Sequence, residues 1–542
     1  MDIHGDDSFR AKSYSIAAFT IEKLPEELAI LPPDKISEIK GIGSSMGKRI
    51  LEMLDTGRLR QLDEYMQKTP LGVVQMLAIK GLGPKKISTI WKELGIESMG
   101  ELLYACNENR LTLYKGFGEK TQEKIKESIE FYLSTQGSYL YAQIESYALA
   151  MDEKLKATFQ DNQFALTGEF RRQLEVVTKL EWVTTVTAEK IRIFYGEDYL
   201  TESETFNYLQ LKGPENVQLG FYLTDQKSFC KRLFETSCSE DFLACWKEKF
   251  TVYETAEYGC EEDIFSNNNI SLVPVFYREG GSVIEAATGS KEFNIIQPSD
   301  IKGIIHSHSK WSDGSDTIEA MAKAAQAQGL EYLVISDHSK TAAYAQGLSE
   351  EQIKAQHEQI DELNRKFAPF RVFKSIESDI LGDGSLDYSN DVLSTFDLVI
   401  ASVHANLYMN EEKAMMRLMK AIENPYTSIL GHMTGRLLLS RNGYPVDHKK
   451  IIDACAANNV VIELNANPRR LDMDWRHIGY ALEKEVLISI NPDAHYIPGF
   501  GDVKYGVLSA QKAGLTKENN LSSFSLFEIE NWIKDQHAKR PA

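Results

Sequence analysis

Six of the eleven histidines in this chain close short apolar runs between residues 300 and 500. His306 and His308 lie in IIHSHSKWSDG, His338 in YLVISDH, His404 in DLVIASVH, His432 in SILGH and His495 in VLISINPDAH. Asp313, Glu377 (in FKSIESDI) and Asp493 share these cassettes. Imidazole and carboxylate are the donors that borderline and hard divalent cations take, and this set is too large for one ion. The expectation is a cluster of two or three divalent metals, Mn²⁺ first, with Zn²⁺, iron or Mg²⁺ as alternatives. Clusters of that kind hydrolyse phosphate esters.

A single histidine after a strand is ordinarily a hydrogen-bonded structural residue. Six at strand ends, with carboxylates in the same cassettes, need an architecture that brings them together. From Asp300 onward, apolar strand-like runs alternate with helical segments, as in TIEAMAKAAQAQGL followed by EYLVISDH. That alternation predicts parallel βα units closing into a barrel, whose strand ends meet on one face. His432 and Asp313 are open to either role, ligand or hydrogen-bonding support. His4, His357, His448, His477 and His537 lack such context and are expected in packing or solvated positions.

Upstream the texture differs. Residues 1 to about 135 are helix-patterned and repeat one motif three times, in EIKGIGSSMGKRI, AIKGLGPKKISTI and LYKGFGEKTQEKI. Two helices joined through such glycines expose backbone N–H groups at a helix N-terminus, a sequence-independent phosphate cradle. Gly41, Gly43, Gly81, Gly83, Gly116 and Gly118, with Lys85, Lys86 and Lys120, are therefore candidate contacts to a DNA backbone. Residues 140 to 290 mix short helices with alternating segments such as NVQLGFYL and read as a smaller α/β region.

At 542 residues the chain has room for several cores. Its net charge of −19 argues against a surface that binds polyanions everywhere, so nucleic-acid contacts must be local patches. The six cysteines show no CxxC pair and read as reduced thiols, which with the lack of an apolar N-terminal core points to a cytoplasmic protein. No apolar run approaches the roughly 18 to 20 residues of a membrane span. A monomer is the expected state.

The segments HSHSKWSDG, ISDH, IESDILGDGSLDY, SVH, GHMTGR, IELNANPRRLD and NPDAH resemble the PHP (polymerase and histidinol phosphatase) domain, in the form fused to bacterial family X DNA polymerases. FRAKSYSIAAFTIE with the first glycine motif resembles that family's lyase-like domain, and the next two motifs its fingers. TGEFRRQLEVVTKLEWV resembles the start of its palm, and YREGGSVIEAA the approach to the PHP domain. The resemblance spans essentially the whole chain. It implies a multidomain protein with helix-hairpin-helix domains over residues 1–60 and 61–138, and a nucleotidyltransferase-like palm over 139–215. A thumb-like part over 216–290 and a distorted (βα)7-type PHP barrel over 300–542 complete it. It also implies that all nine positions named above are metal ligands. Asp493 and His495 are implied in catalysis, and adjacency to these motifs makes Arg436, or Arg469, the candidate for neutralising charge on a phosphodiester.

The polymerase positions depart from the family. The aspartate pair that holds two Mg²⁺ ions falls on Lys179 and Glu181, the third carboxylate on Gly220, and Glu169 replaces a serine expected beside the triphosphate. One carboxylate beside a lysine cannot gather two dications, and the added glutamate repels phosphate. The lysine that would attack an abasic sugar falls on Arg49, whose guanidinium stays protonated and forms no imine. The expectation is a DNA-binding repair protein acting as a 3′→5′ exonuclease, with cleavage at abasic sites open to the same centre, on a polymerase scaffold that has lost its chemistry. An active gap-filling polymerase and a small-molecule PHP phosphoesterase are the alternatives.

Overall fold

The computed structural model describes residues 1–542 except positions 7, 23, 25–27, 108–109, 251–252, 254–255, 289–292, 440–441 and 542. The expected domain ends at 290 and 542 lie outside the described residues. The chain divides into two compact units, Met1–Gln136 and Gly137–Ala542. Among the described residues, no helix is long and apolar enough to cross a membrane.

The described part of the first unit is built of helices around an apolar core that includes Val73, Met76, Ile87, Ile90, Leu102 and Ile125. Three of its helices, α1 (Ser44–Thr56), α2 (Pro84–Lys92) and α3 (Glu119–Thr135), begin alike. Gly41, Gly81 and Gly116 turn the chain with φ of 101°, 88° and 95°, a left-handed conformation that favours glycine. Two residues later Gly43, Gly83 and Gly118 cap the helices in extended geometry, with φ between −78° and −81° and ψ between 163° and 169°. A glycine cap offers no side-chain acceptor to the first-turn N–H groups. All six glycines are exposed.

The second unit starts with a five-stranded sheet. Its strands are β1 (Phe164–Thr167), β2 (Leu180–Thr184), β3 (Leu200–Thr205), β4 (Tyr208–Lys212) and β5 (Gln218–Leu223), in the order β1-β2-β5-β4-β3. Only the β2–β5 pair is parallel. A separate short ladder pairs Tyr139–Leu140 with Val176–Val177. A helical cluster follows, with Phe234, Phe242, Trp246 and Phe265 in its core and the buried guanidinium of Arg278 over Phe234 and Phe265.

The rest is a barrel of seven parallel strands in sequence order. These are β6 (Gly303–Ile304), β7 (Tyr332–Ile335), β8 (Arg371–Asp379), β9 (Leu398–Ser402), β10 (Ile429–Leu430), β11 (Val461–Asn465) and β12 (Ile488–Asn491). Residues 332–335, 398–402, 461–465 and 488–491 are buried along their whole length, because helices cover the outside of a parallel sheet. Just past the strand ends the ring closes: His308 N–H donates to the Ala494 carbonyl at 2.8 Å, and Ala494 N–H to that of His306 at 3.2 Å. The expected (βα)7-type architecture is thus present. This closure draws the C-terminal ends of β6 and β12 together, and with them the first and last histidine cassettes.

Candidate metal centre

Each barrel strand delivers its polar residues at or just beyond its C-terminal end, where inward-facing side chains have only one another for company. Glu377, near the end of β8, occupies the middle. One of its carboxylate oxygens lies 3.2 Å from His306 Nε2, 3.1 Å from His404 Nε2 and 3.0 Å from His432 Nε2, and the other 3.0 Å from His338 Nδ1. Asp493 approaches His308 Nε2 at 3.0 Å and His306 Nε2 at 3.5 Å. Asp313 lies 3.6 Å from His338 Nε2 and 3.5 Å from His495 Nε2. The structure therefore brings all nine expected side chains into one pocket.

Donor atoms within 4.8 Å of one another form three groups that share members: His308, Asp313, His338 and His495; His306, His308 and Asp493; His338, Glu377 and His404. His308 and His338 bridge neighbouring groups, an arrangement suited to several ions rather than one. The donor set fits such ions in a second respect. His308 Nδ1 and His432 Nδ1 are buried without a hydrogen-bond partner, which is unfavourable unless something else satisfies them. Two of the residues, His306 (φ 64°) and Asp493 (φ 53°), hold left-handed backbone conformations, a strain typical of functional sites.

The electrostatics are those of a cluster crowded with opposite charges. Against the effect of burial, the surrounding imidazoles hold the Glu377 and Asp493 carboxyls well below the usual range. His404 is pushed up to about 10, the carboxylates of Glu377 and Asp379 outweighing burial. His308 goes the other way, down to about 3, through burial and its histidine neighbours.

Behind the donors stand residues that the sequence reading missed. Glu463 in β11 takes a 2.6 Å contact from His306 Nδ1, and the same carboxylate accepts from His432 N–H, Asn465 and Asn491. Asp379 takes the Nδ1 of His404 at 2.7 Å. Asp337, fully buried, accepts from Ser309, Ser312 and Gln356 and ties down the loop that carries Asp313. Each lies in a strand-end segment of the kind already noted, IELN, IESD and ISDH, which was the available signal.

The arginines fall differently from expectation. Arg436 is not brought to the cluster. It bonds Asp474 at 2.6 Å and the carbonyls of Arg470 and Leu471, bracing that loop from beneath. Arg469 is exposed, whereas Arg470 sets its Nε 3.8 Å from Asp493 Oδ2. His4, His357, His448, His477 and His537 make local contacts of their own, with Thr69, Phe396, each other (His448 on His477) and the Asp397 carbonyl.

In the five-stranded sheet, Glu181 on β2 pairs in register with Gly220 on β5, so the positions aligned with polymerase carboxylates are neighbours. Lys179 precedes β2. Glu181 is buried, which raises its pKa, and accepts from the Tyr222 hydroxyl at 3.0 Å. A Cβ placed on Gly220 would sit 2.6 Å from the Tyr208 hydroxyl. Glu169 accepts from the N–H and the hydroxyl of Thr178, and Arg171 bonds Ser237 and Glu261. In the first unit, Arg49 stacks over Tyr14 at 5.0 Å beside an exposed Lys48, and Lys86 donates to the Gly81 carbonyl while Lys85 and Lys120 are exposed.

Comparison with known proteins places these features. The family profile described as PHP domain matches residues 305–467, Helix-hairpin-helix domain residues 1–59, and SAM-like Helix-hairpin-helix tandem residues 73–130. Over 555 aligned residues, 98% of this chain and 97% of the relative, the sequence is 32% identical to the DNA polymerase/3′-5′ exonuclease PolX of Bacillus subtilis (strain 168). A probable phosphatase of Thermoanaerobacter sp. (strain X514) is 25% identical over 233 residues, 41% of this chain and 90% of that protein. One of Acetivibrio thermocellus is 28% identical over 155 residues, 28% of this chain and 58% of that protein. With helical hairpins, a mixed sheet and a parallel barrel whose strand ends gather imidazoles and carboxylates, in this order, the chain belongs to the bacterial family X DNA polymerase/3′-5′ exonucleases that carry a PHP domain.

Proposed function

We propose that this chain is a metal-dependent DNA phosphodiesterase that removes nucleotides from 3′ ends in its PHP barrel, with abasic-site cleavage open to the same centre, and that its polymerase centre is inactive. The observation that carries the first part is the pocket of nine imidazoles and carboxylates, most of whose donor atoms fall into three groups that share members. His306, His308, Asp313, His338, Glu377, His404, His432, Asp493 and His495 would hold two or three ions, with Mn²⁺ the best match to the mixed set. Such ions supply Lewis-acid polarisation of a phosphate and an activated water.

The protein's own part is positioning. Glu463 and Asp379 fix the rings of His306 and His404 so that each Nε2 faces the cluster. The charge-neutralising role expected of Arg436 or Arg469 passes to Arg470, which faces Asp493 from the rim of the pocket. The three glycine hairpins, with Lys85, Lys86 and Lys120 nearby, hold a DNA backbone without reading its sequence.

Loss of polymerization follows from what fills the palm. Glu181 is the one carboxylate at the three aligned positions, and Tyr222 caps it. Tyr208 occupies the space in front of Gly220. Arg171, next in the chain but one to Glu169, is already neutralised by Glu261. Two dications would meet too little negative charge to bind.

The similarity to probable phosphatases across the barrel favours one second reading, a phosphatase for small molecules. A 5′-labelled single-stranded oligonucleotide incubated with Mn²⁺ separates the two. A ladder shortened from the 3′ end and abolished by EDTA is expected. Intact DNA together with turnover of 4-nitrophenyl phosphate would favour the phosphatase.

A further inference from the structure

The palm has a connection to the barrel that the loss of polymerization does not explain. Glu175, in the QLEVV segment that follows Arg171 and Arg172, is largely buried, and each of its carboxylate oxygens grips the barrel. One takes Arg476 at 2.7 Å, the other the Trp475 indole N–H at 3.2 Å. Its own backbone is anchored, since the Glu175 carbonyl accepts from Tyr141 N–H where the Tyr139–Leu140 ladder begins. Arg476 also bonds Asp474 at 3.0 Å, and Asp474 holds Arg436 at 2.6 Å. Arg436 in turn holds the carbonyls of Arg470 and Leu471. The path ends at Arg470 beside Asp493.

This loop needs such support. Leu471 has a φ of 42°, a left-handed conformation that a leucine adopts only when its surroundings impose it. The strained residue directly follows Arg470, so a change in the turn swings that side chain. The loop is thus held from two sides, by Arg436 beneath Arg470 and Leu471, and by Glu175 at Trp475 and Arg476.

We infer that Glu175 is a positioning residue for phosphodiester hydrolysis, acting through Arg476, Asp474 and Arg436 to hold Arg470 against the metal pocket. This rests on the reading of Arg470 given under Proposed function. The palm is then retained as a brace of the nuclease, and a displacement of order 1 Å at the reacting groups is enough to matter, since misplacement on that scale lowers rates up to about a hundredfold.

A double-mutant cycle on the full-length, Mn²⁺-loaded protein tests it, with a short 5′-labelled oligonucleotide as substrate. Arg470→Gln should lower kcat about a hundredfold, as loss of a charge-stabilising donor does. Glu175→Gln and Arg476→Gln should each lower kcat about tenfold, with KM within about twofold and bound metal unchanged. In the Arg470→Gln background, Glu175→Gln should have no further effect. The inference is overturned if Glu175→Gln stays within twofold of wild type, or if its effect persists in full without Arg470, as general destabilisation would. A wild-type rate in Arg470→Gln would instead remove the role of Arg470, and an inert wild-type protein the nuclease reading itself.

Discussion

Glu463 Oε2 lies 2.6 Å from His306 Nδ1, and neither residue has measurable exposure. The carboxylate fixes the imidazole so that Nε2 faces the cluster of imidazoles and carboxylates, and it accepts from three further donors, His432 N–H, Asn465 and Asn491. In Glu463→Gln, one of the two terminal atoms becomes an NH₂ group that cannot accept. Loss of such outer partners typically weakens metal binding about 10- to 100-fold. Chelator-competition titration of Mn²⁺ should show a drop in that range for Glu463→Gln. An affinity equal to wild type would show that the ring is oriented by other means.

The histidine cassettes were legible in the sequence because imidazoles at the ends of apolar runs are rarely accidental, and the βα alternation told where those ends meet. Glu463 shares such a strand-end segment, but its role as a support was not legible, because it depends on Asn491 of the neighbouring strand and on His306. Between adjacent arginines no local pattern distinguishes the one that lies beside Asp493, Arg470, from the exposed Arg469. In the palm, the resemblance placed Glu181 and Gly220 at carboxylate positions, and the two are neighbours in register. Tyr208 reaches them from β4 through an antiparallel pairing that no local pattern reveals.

That tyrosine makes the palm testable without any assay of polymerization. Gly220→Ala should be destabilised by about 1–3 kcal/mol through overpacking against the Tyr208 hydroxyl. The hydroxyl is buried with no hydrogen-bond partner, so Tyr208→Phe alone should be close to neutral. Combined, the two substitutions should recover most of the loss in urea unfolding. Strictly additive effects would mean that the hydroxyl is not what fills the space.

The hairpins make a prediction about salt. Lys85 and Lys86 follow the Gly83 cap at the start of α2. If both touch DNA phosphates, Lys85→Ala/Lys86→Ala should weaken binding to unrelated duplexes alike. It should also reduce the slope of log K against log salt by about 2. Fluorescence anisotropy over a KCl series measures both. An unchanged slope would remove these lysines from the interface.

The loop clasp makes a prediction about pH. Burial alone would raise the Asp474 carboxyl, but Arg436 and Arg476 outweigh it and bring it down to about 2, against 3.8 when free. A group whose pKa is depressed on folding stabilises the protein above its free value, and that contribution fades as pH falls toward the folded one. Wild type should therefore lose about 2 kcal/mol more than Asp474→Asn between about pH 5 and pH 2. Parallel acid-unfolding curves would contradict the pairing.

The central claim, a working nuclease on an inactive polymerase, is met most directly by a single incubation. A 5′-labelled strand in a 3′-recessed duplex is treated with Mn²⁺ and all four deoxynucleoside triphosphates, using wild type and Asp493→Ala/His495→Ala. The account predicts that wild type shortens the strand, that the variant leaves it unchanged, and that neither lengthens it. Lengthening by either protein, above all by the variant, would show that Glu181 and its neighbours still support nucleotide transfer and would contradict the account.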